Sequence, residues 1–309
     1  MAPNLLVGTG GWAYFHVPGQ DSLSAYSRTF DFVEVNSTYY EYPDLRTASL
    51  WRTRVGKSFQ FSVRCHNSIV EALRDENDYQ LDTVMGKMAE ICGALDANIL
   101  TILVPKTVGI PDASLAKRIK HIASFAAGET RVAVEIRGRV SPEVLEAMKD
   151  NNLLHCVDIS REQPAFESEL LYSRLFGKGR ANIYQFDDEE IQVISGKAAS
   201  PKFEKSILAF HGVRMYGDAA RLKAFLQTGK FLQVTGQTGI DSLGSVLKED
   251  TEFPASKEDL VARQGWKLFD LTIDKRVRAA KVLSRLSKRN YRSYKELLSS
   301  LGPLLSDLG

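Results

Sequence analysis

Glu34 and Asn36 stand two apart in the run Val33-Glu34-Val35-Asn36, and the same spacing of polar residues recurs in Ser62-Val63-Arg64-Cys65-His66 and in Val134-Glu135-Ile136-Arg137. Apolar and polar residues that alternate in this way mark a strand, because successive side chains of a strand point to opposite faces. Each run would therefore gather its polar members on one side. Asp158, Arg174 and His211 lie within or just past three further β-type runs and complete the set. Three carboxylates (Glu34, Glu135, Asp158) then face three arginines (Arg64, Arg137, Arg174). A guanidinium fork matches the oxygens of phosphate or carboxylate in two parallel hydrogen bonds, so arginines with spare donors would hold an anionic substrate, phosphate before others. Glu34 and Glu135 are the expected general base and acid and Asp158 the next candidate, provided crowding or burial raises one of their pKa values. Asn36, His66 and His211 would line the same pocket. The competing reading is a purely structural set of internal salt bridges, because buried charges left unpaired are costly.

Residues so far apart in sequence meet only if the fold brings their strands together. Eight β-type runs are visible: Leu5 to Thr9, Phe32 to Ser37, Phe59 to Cys65, Ile99 to Val104, Val132 to Ile136, Leu153 to Ile159, Leu170 to Leu175 and Ile207 to Phe210. Helical patterns fall between most of them, including Leu81 to Leu95, Leu115 to Phe125, Pro142 to Lys149 and Ala219 to Leu226. Strand-then-helix alternation implies a parallel sheet covered by helices, and eight units can close it into a cylinder, the TIM (β/α)8-type barrel of about 250 residues. An open doubly wound sheet is the alternative. Polar residues inside the strands favour closure, since inward positions near the C-terminal rim of a barrel open to a pocket. The turn Gly8-Thr9-Gly10-Gly11 lacks the context of a nucleotide-binding loop and reads as a tight connection that frees Trp12 and Tyr14 for the rim. Trp12, Tyr39 and Tyr40 could stack on a base or sugar ring there, or simply pack.

The chain has 309 residues, 44% of them hydrophobic and 25% charged, with a net charge of +2. That composition suits a folded domain with a sizeable core. The start lacks a basic stretch followed by a long apolar run, and no apolar segment reaches the length of a membrane span, so a cytoplasmic protein with no membrane partner is expected. The three cysteines, Cys65, Cys92 and Cys156, sit in apolar segments and form no CxxC pair. Glu34, Glu135, Asp158 and His211 could hold a divalent metal, but three arginines would oppose it and no close histidine spacing supports it. The cofactor is therefore left unknown.

Charge is distributed unevenly: residues 1 to 228 balance to −2 and residues 229 to 309 to +4. Nine basic residues lie between Lys275 and Lys295 without an intervening acid. Ser256 with Asp259 three residues on marks a helix start. We expect a barrel domain over 1–228 and a small, basic, helical module over 229–309, with a central helix near Arg276 to Leu286. One side of that helix would be apolar, and Arg278, Lys281, Arg285, Lys288 and Arg289 would offer a cationic face to nucleic acid. A solvated face, or one paired with acids of the barrel, is the bland alternative.

The segments Gly8-Thr9-Gly10-Gly11-Trp12-Ala13-Tyr14, Val33-Glu34-Val35-Asn36-Ser37-Thr38-Tyr39-Tyr40 and Val134-Glu135-Ile136-Arg137 resemble three signature segments of the YecE-like family of TIM-barrel proteins, whose function is unknown. Leu171-Tyr172-Ser173-Arg174-Leu175-Phe176-Gly177 is similar to another, with Phe176 where the family usually has histidine, and Phe210-His211-Gly212 stands where it often has two asparagines. The resemblance spans roughly residues 5 to 228 and implies the barrel. It leaves the reaction open, because one barrel fold hosts many chemistries. The expected activity is a hydrolase of nuclease or glycosylase type, acting on a phosphodiester or N-glycosidic bond of a phosphate-bearing small molecule or nucleic acid. A non-catalytic nucleic-acid-binding protein and a sugar-phosphate isomerase or glycosidase are the alternatives.

Overall fold

The computed structural model describes residues 4–75, 77–106, 109–125 and 130–305. Eight parallel strands form one sheet: β1 Asn4–Thr9, β2 Phe32–Val35, β3 Gln60–Arg64, β4 Ala97–Val104, β5 Arg131–Ile136, β6 Leu154–His155, β7 Leu170–Leu175 and β8 Lys205–Phe210. Their order is β6-β5-β4-β3-β2-β1-β8-β7. A single parallel bridge between Val157 and Ser173 joins the two ends, so the expected α/β barrel is present and nearly closed. The Ser173 hydroxyl helps at this seam: it donates to the Val157 carbonyl at 2.8 Å and accepts from the Ile159 N–H at 3.2 Å, where the backbone ladder has run out.

Helices α1 Ser22–Thr29, α2 Leu45–Thr53, α3 Ile69–Arg74, α4 Asp78–Leu95, α5 Asp112–Ala123 and α6 Pro142–Asp150 fall between the first six strands. Their starts follow from local chemistry. Asp21 accepts from the Ser24 N–H at the head of α1, and Ser141 accepts from the Val144 N–H at the head of α6, where Pro142 occupies the first turn and needs no N–H partner. Strand parity separates two cores. Phe32, Ile99, Ala133, Leu154, Cys156, Tyr172, Ile207 and Ala209 pack together inside the barrel, whereas Phe61, Val63 and Cys65, of opposite parity to Ser62 and Arg64, are buried as well. All three cysteines are buried and free.

The chain divides into two compact units, 1–175 with 196–211 and 176–195 with 212–309. Segments 176–195 and 212–228, expected within the barrel domain, thus group with the C-terminal residues. Ion pairs tie these segments together. Arg221, in α8 Met215–Thr228, donates to the Phe186 carbonyl at 2.6 Å and to Asp218 at 3.1 Å, and it also pairs with Asp188 in α7 Asp188–Ala198. Arg276 reaches Asp188 at 2.6 Å and Arg278 reaches Glu190 at 2.9 Å.

The second unit is mixed rather than helical. After α9 Gly239–Lys248 come β9 Ala255–Ser256, α10 Lys257–Gln264, β10 Leu268–Thr272, β11 Lys275–Arg278, α11 Ala280–Leu283, β12 Asn290–Tyr291 and α12 Tyr294–Leu305. The Ser256–Asp259 capping box does open α10. The single basic helix expected near Arg276 to Leu286 is replaced by a hairpin strand and one helical turn, because Lys275–Arg278 pairs antiparallel with β10, setting Val277 opposite Phe269. This unit has its own apolar core, in which Leu243, Phe269, Val282, Leu283, Leu297 and Leu301 are fully buried.

Candidate active site

Arg174 is the hub of a charged cluster inside the barrel. From β7 its Nη2 donates to Glu34 Oε1 at 3.0 Å, its Nη1 to Glu135 Oε2, and its Nε to His211 Nε2 at 3.3 Å. Only 1% of the Arg174 side chain is exposed, against 0% for Glu34 and 12% for Glu135. Arg137 Nε closes the other side of Glu135 at 3.0 Å. Below the ion pairs runs a short relay. Tyr172 donates its hydroxyl proton to Glu34 Oε2 at 2.6 Å, so Ser62, 2.8 Å away, must be the donor to Tyr172. Tyr172 escaped the sequence reading although it shares the inward parity of Arg174, because a tyrosine in a β-type run reads first as packing.

The protonation states follow from these contacts. Burial would raise the pKa of Glu34, but the Arg174 guanidinium and the Tyr172 hydrogen bond outweigh it and hold the carboxyl at about 2. Glu135 is likewise held below the usual carboxylate range by Arg174 and Arg137 against its burial. Both are ionised at neutral pH. They can act as bases or stabilise positive charge, but neither is the raised-pKa proton donor expected from the sequence, since arginines flank both. Burial first, and then the Arg174 charge, push His211 down to about 3. His211 is therefore neutral, and the Arg174 Nε donation assigns the accepting lone pair to Nε2. Its ring lies against Gly10, where a Cβ would fall 2.2 Å from Cε1 and Nδ1. This is a packing reason for the glycine after strand one.

Arg64 is fixed in a different way. Its Nη1 donates to Asn36 Oδ1 at 2.8 Å, and its guanidinium carbon lies 3.6 Å from the centre of the Tyr39 ring. Thr38 anchors the turn that carries Tyr39, its one hydroxyl proton shared between the carbonyls of Val35 at 2.7 Å and Arg64 at 2.6 Å. Arg64 Nε is buried and has no hydrogen-bond partner among the described residues.

The other candidates have partners of their own. His66 stacks on Tyr42 at 4.1 Å and meets the Ser68 hydroxyl at 2.8 Å. Trp12 packs edge-on against Trp51 at 5.2 Å. Asp158 accepts from the Ser160 N–H at 2.9 Å and lies 3.7 Å from Arg161. Among the described residues no group of three His, Cys, Asp or Glu side chains could hold a metal ion. At the cluster itself it is a guanidinium, that of Arg174, that bridges Glu34 and Glu135.

The cationic face expected in the second unit is broken up. Arg278 is engaged with Glu190, the Tyr184 hydroxyl and the Gln185 carbonyl. Arg289 pairs with Glu296 at 2.6 Å. Lys281, Arg285 and Lys288 are exposed, the last 4.0 Å from Glu258. Among the described residues no helix is long and apolar enough to cross a membrane.

A family model described as a protein of unknown function, DUF72, matches residues 6–237. The chain belongs to this family. Solved DUF72 proteins share its fold: one from Enterococcus faecalis at 16% identity, covering 73% of this chain and 98% of that one with a TM-score of 0.58, and one from Thermotoga maritima at 15% identity, covering 72% and 99% with a TM-score of 0.59. At such identity the likeness concerns the barrel alone. No curated protein matches the chain. Residues 238–309 lie beyond the DUF72 match.

Proposed function

We propose that the barrel mouth binds a phosphate-bearing substrate and that this DUF72 protein is a hydrolase of a phosphodiester or N-glycosidic bond. The observation that carries the reading is Arg64. Three guanidinium groups (Arg64, Arg137, Arg174) face two carboxylates, and His211 is neutral, so one positive charge is left over. Arg64 is the arginine with an unspent donor, and it is held in place by Asn36 and Tyr39. A pre-set fork of this kind binds an oxyanion at small cost in conformational entropy. Glu135, ionised and slightly open to solvent, is the base that would activate water.

A second reading, ligand binding without proton transfer, has an observation of its own. Glu34 and His211 titrate near 2 and 3, and Tyr172 far above its usual range, so none of these three changes charge near neutral pH. Release of inorganic phosphate, nucleobase or shortened product from nucleotides and single-stranded oligonucleotides, measured for wild type and Glu135→Gln, separates the two. The hydrolase reading expects a loss of roughly a hundredfold or more in turnover with ligand affinity kept. Ligand binding without turnover in wild type overturns it. Oligonucleotide binding by the second unit rests on Lys281, Arg285 and Lys288, and its signature is affinity that falls steeply with salt.

A further inference from the structure

Four buried side-chain atoms of the first unit lack a hydrogen-bond partner among the described residues, Arg64 Nε, Thr101 Oγ1, Arg131 Nε and Ser160 Oγ, and the first two are neighbours across one ladder. Arg64 and Thr101 are paired positions of the parallel β3–β4 ladder. Paired residues of adjacent strands send their side chains to the same face, which here is the interior, the face of Ser62. Thr101 is 0% exposed and sits in the otherwise apolar run Ile99-Leu100-Thr101-Ile102-Leu103-Val104. Valine would fill the same space without a polar atom. An orphaned hydroxyl there lowers stability, and two orphans at one level of the barrel call for a common partner. An oxygen atom with two lone pairs can accept from both.

We propose that Arg64 Nε and Thr101 Oγ1 together receive one oxygen of the ligand's terminal oxyanion, which makes Thr101 a specificity-determining residue of the barrel site. The inference rests on reading the mouth as an anion site and narrows it. Both atoms are closed off in the unliganded structure, so an oxygen reaches them only if the Arg64 side chain shifts to admit it, which leaves room for the tip of a ligand and not for the middle of a polymer. The ligand class is a terminal phosphate, or a carboxylate of the same oxyanion chemistry, rather than an internal diester. Asn36 and Tyr39 occupy one edge and one face of the Arg64 guanidinium, leaving the Nε–Nη2 edge for the oxyanion.

The test titrates inorganic phosphate, and acetate in parallel, into the full-length wild type, Thr101→Val, Thr101→Ser and Arg64→Lys by calorimetry, with melting curves recorded without ligand. Thr101→Val is expected to weaken phosphate about tenfold while melting no lower than wild type, and Thr101→Ser to keep the affinity. Acetate bound in place of phosphate supports the shared oxygen with a carboxylate as its owner. Thr101→Val that binds phosphate as wild type does, while Arg64→Lys has lost it, removes Thr101 from the site and leaves the anion reading standing. A lower melting temperature for unliganded Thr101→Val also overturns the assignment, because the hydroxyl would then have a structural partner. Wild type that binds neither anion sinks both.

Discussion

Arg174→Met removes the charge that the barrel interior is built around while keeping an unbranched side chain, and the loss can be worked out in two ways. The first uses Glu34, whose carboxyl falls from 4.5 to about 2 on folding; at ~1.4 kcal/mol per pH unit this amounts to about 3 kcal/mol of stability. The second uses the general cost of breaking a buried pair by deleting one partner, about 3–5 kcal/mol. Because His211, Tyr172 and Arg64 share in the Glu34 shift, the second figure sets the expected deficit of Arg174→Met, near 3–5 kcal/mol at pH 7. The pH dependence is the sharper test. In wild type the Glu34 contribution is complete above 4.5 and is lost only as pH falls toward 2. In the variant, burial is opposed only by the Tyr172 hydrogen bond and more distant charges, so the folded state takes up a proton that the unfolded state lacks. The deficit should therefore shrink as pH falls from 8 to 5. Urea unfolding followed by tryptophan fluorescence in a Trp266→Phe background measures it, since Trp12 and Trp51 then report the first unit alone. A deficit below about 1 kcal/mol, or one constant from pH 5 to 8, would refute the account of Arg174 as the main counter-charge of buried Glu34.

Two further perturbations probe other contacts. Burial raises the Asp218 carboxyl from 3.8 to about 7 despite its pairing with Arg221, so the second unit should lose stability as pH rises from 4 to 7, and Asp218→Asn should flatten that slope in urea unfolding followed by Trp266; an unchanged slope assigns it to other groups. Gly10→Ala should cost about 1–3 kcal/mol by pressing on the His211 ring, and His211→Ala should relieve most of that cost in the double mutant, whereas additive losses would mean that the clash is taken up elsewhere.

The barrel was legible because its signal is local. In Ser62-Val63-Arg64-Cys65 and Val134-Glu135-Ile136-Arg137 a period of two assigns each side chain to a face, and the strand-helix rhythm dictates a parallel sheet. The second unit was less so. Lys275-Arg276-Val277-Arg278 holds one apolar residue among four, which is too little to set a strand period against a helical one, and the partner that decides the matter, Phe269, is supplied by the hairpin. Sequence likewise collected the arginines and carboxylates at the mouth but could not pair them. Arg174 meets both Glu34 and Glu135, and that double engagement turns an imagined proton donor into a pair of fixed anions.

The pairing also decides where selectivity resides. A carboxylate bridged to a buried arginine is an expensive way to hold a barrel together, since well-packed apolar residues of similar volume serve stability as well or better. With Arg174 spent on two carboxylates and Arg137 on one, the cation that remains is Arg64, whose position is set by Asn36 and Tyr39 from the adjacent strand end and turn. Glu34 and Glu135 are already matched by Arg174 and Arg137, so the surplus positive charge that an anion can meet is at Arg64. A ligand neutral in its body and anionic at one end suits that distribution, and replacing Asn36 by aspartate, which cancels the spare charge at that edge without touching the Arg174 hub, should abolish anion binding while leaving the fold intact.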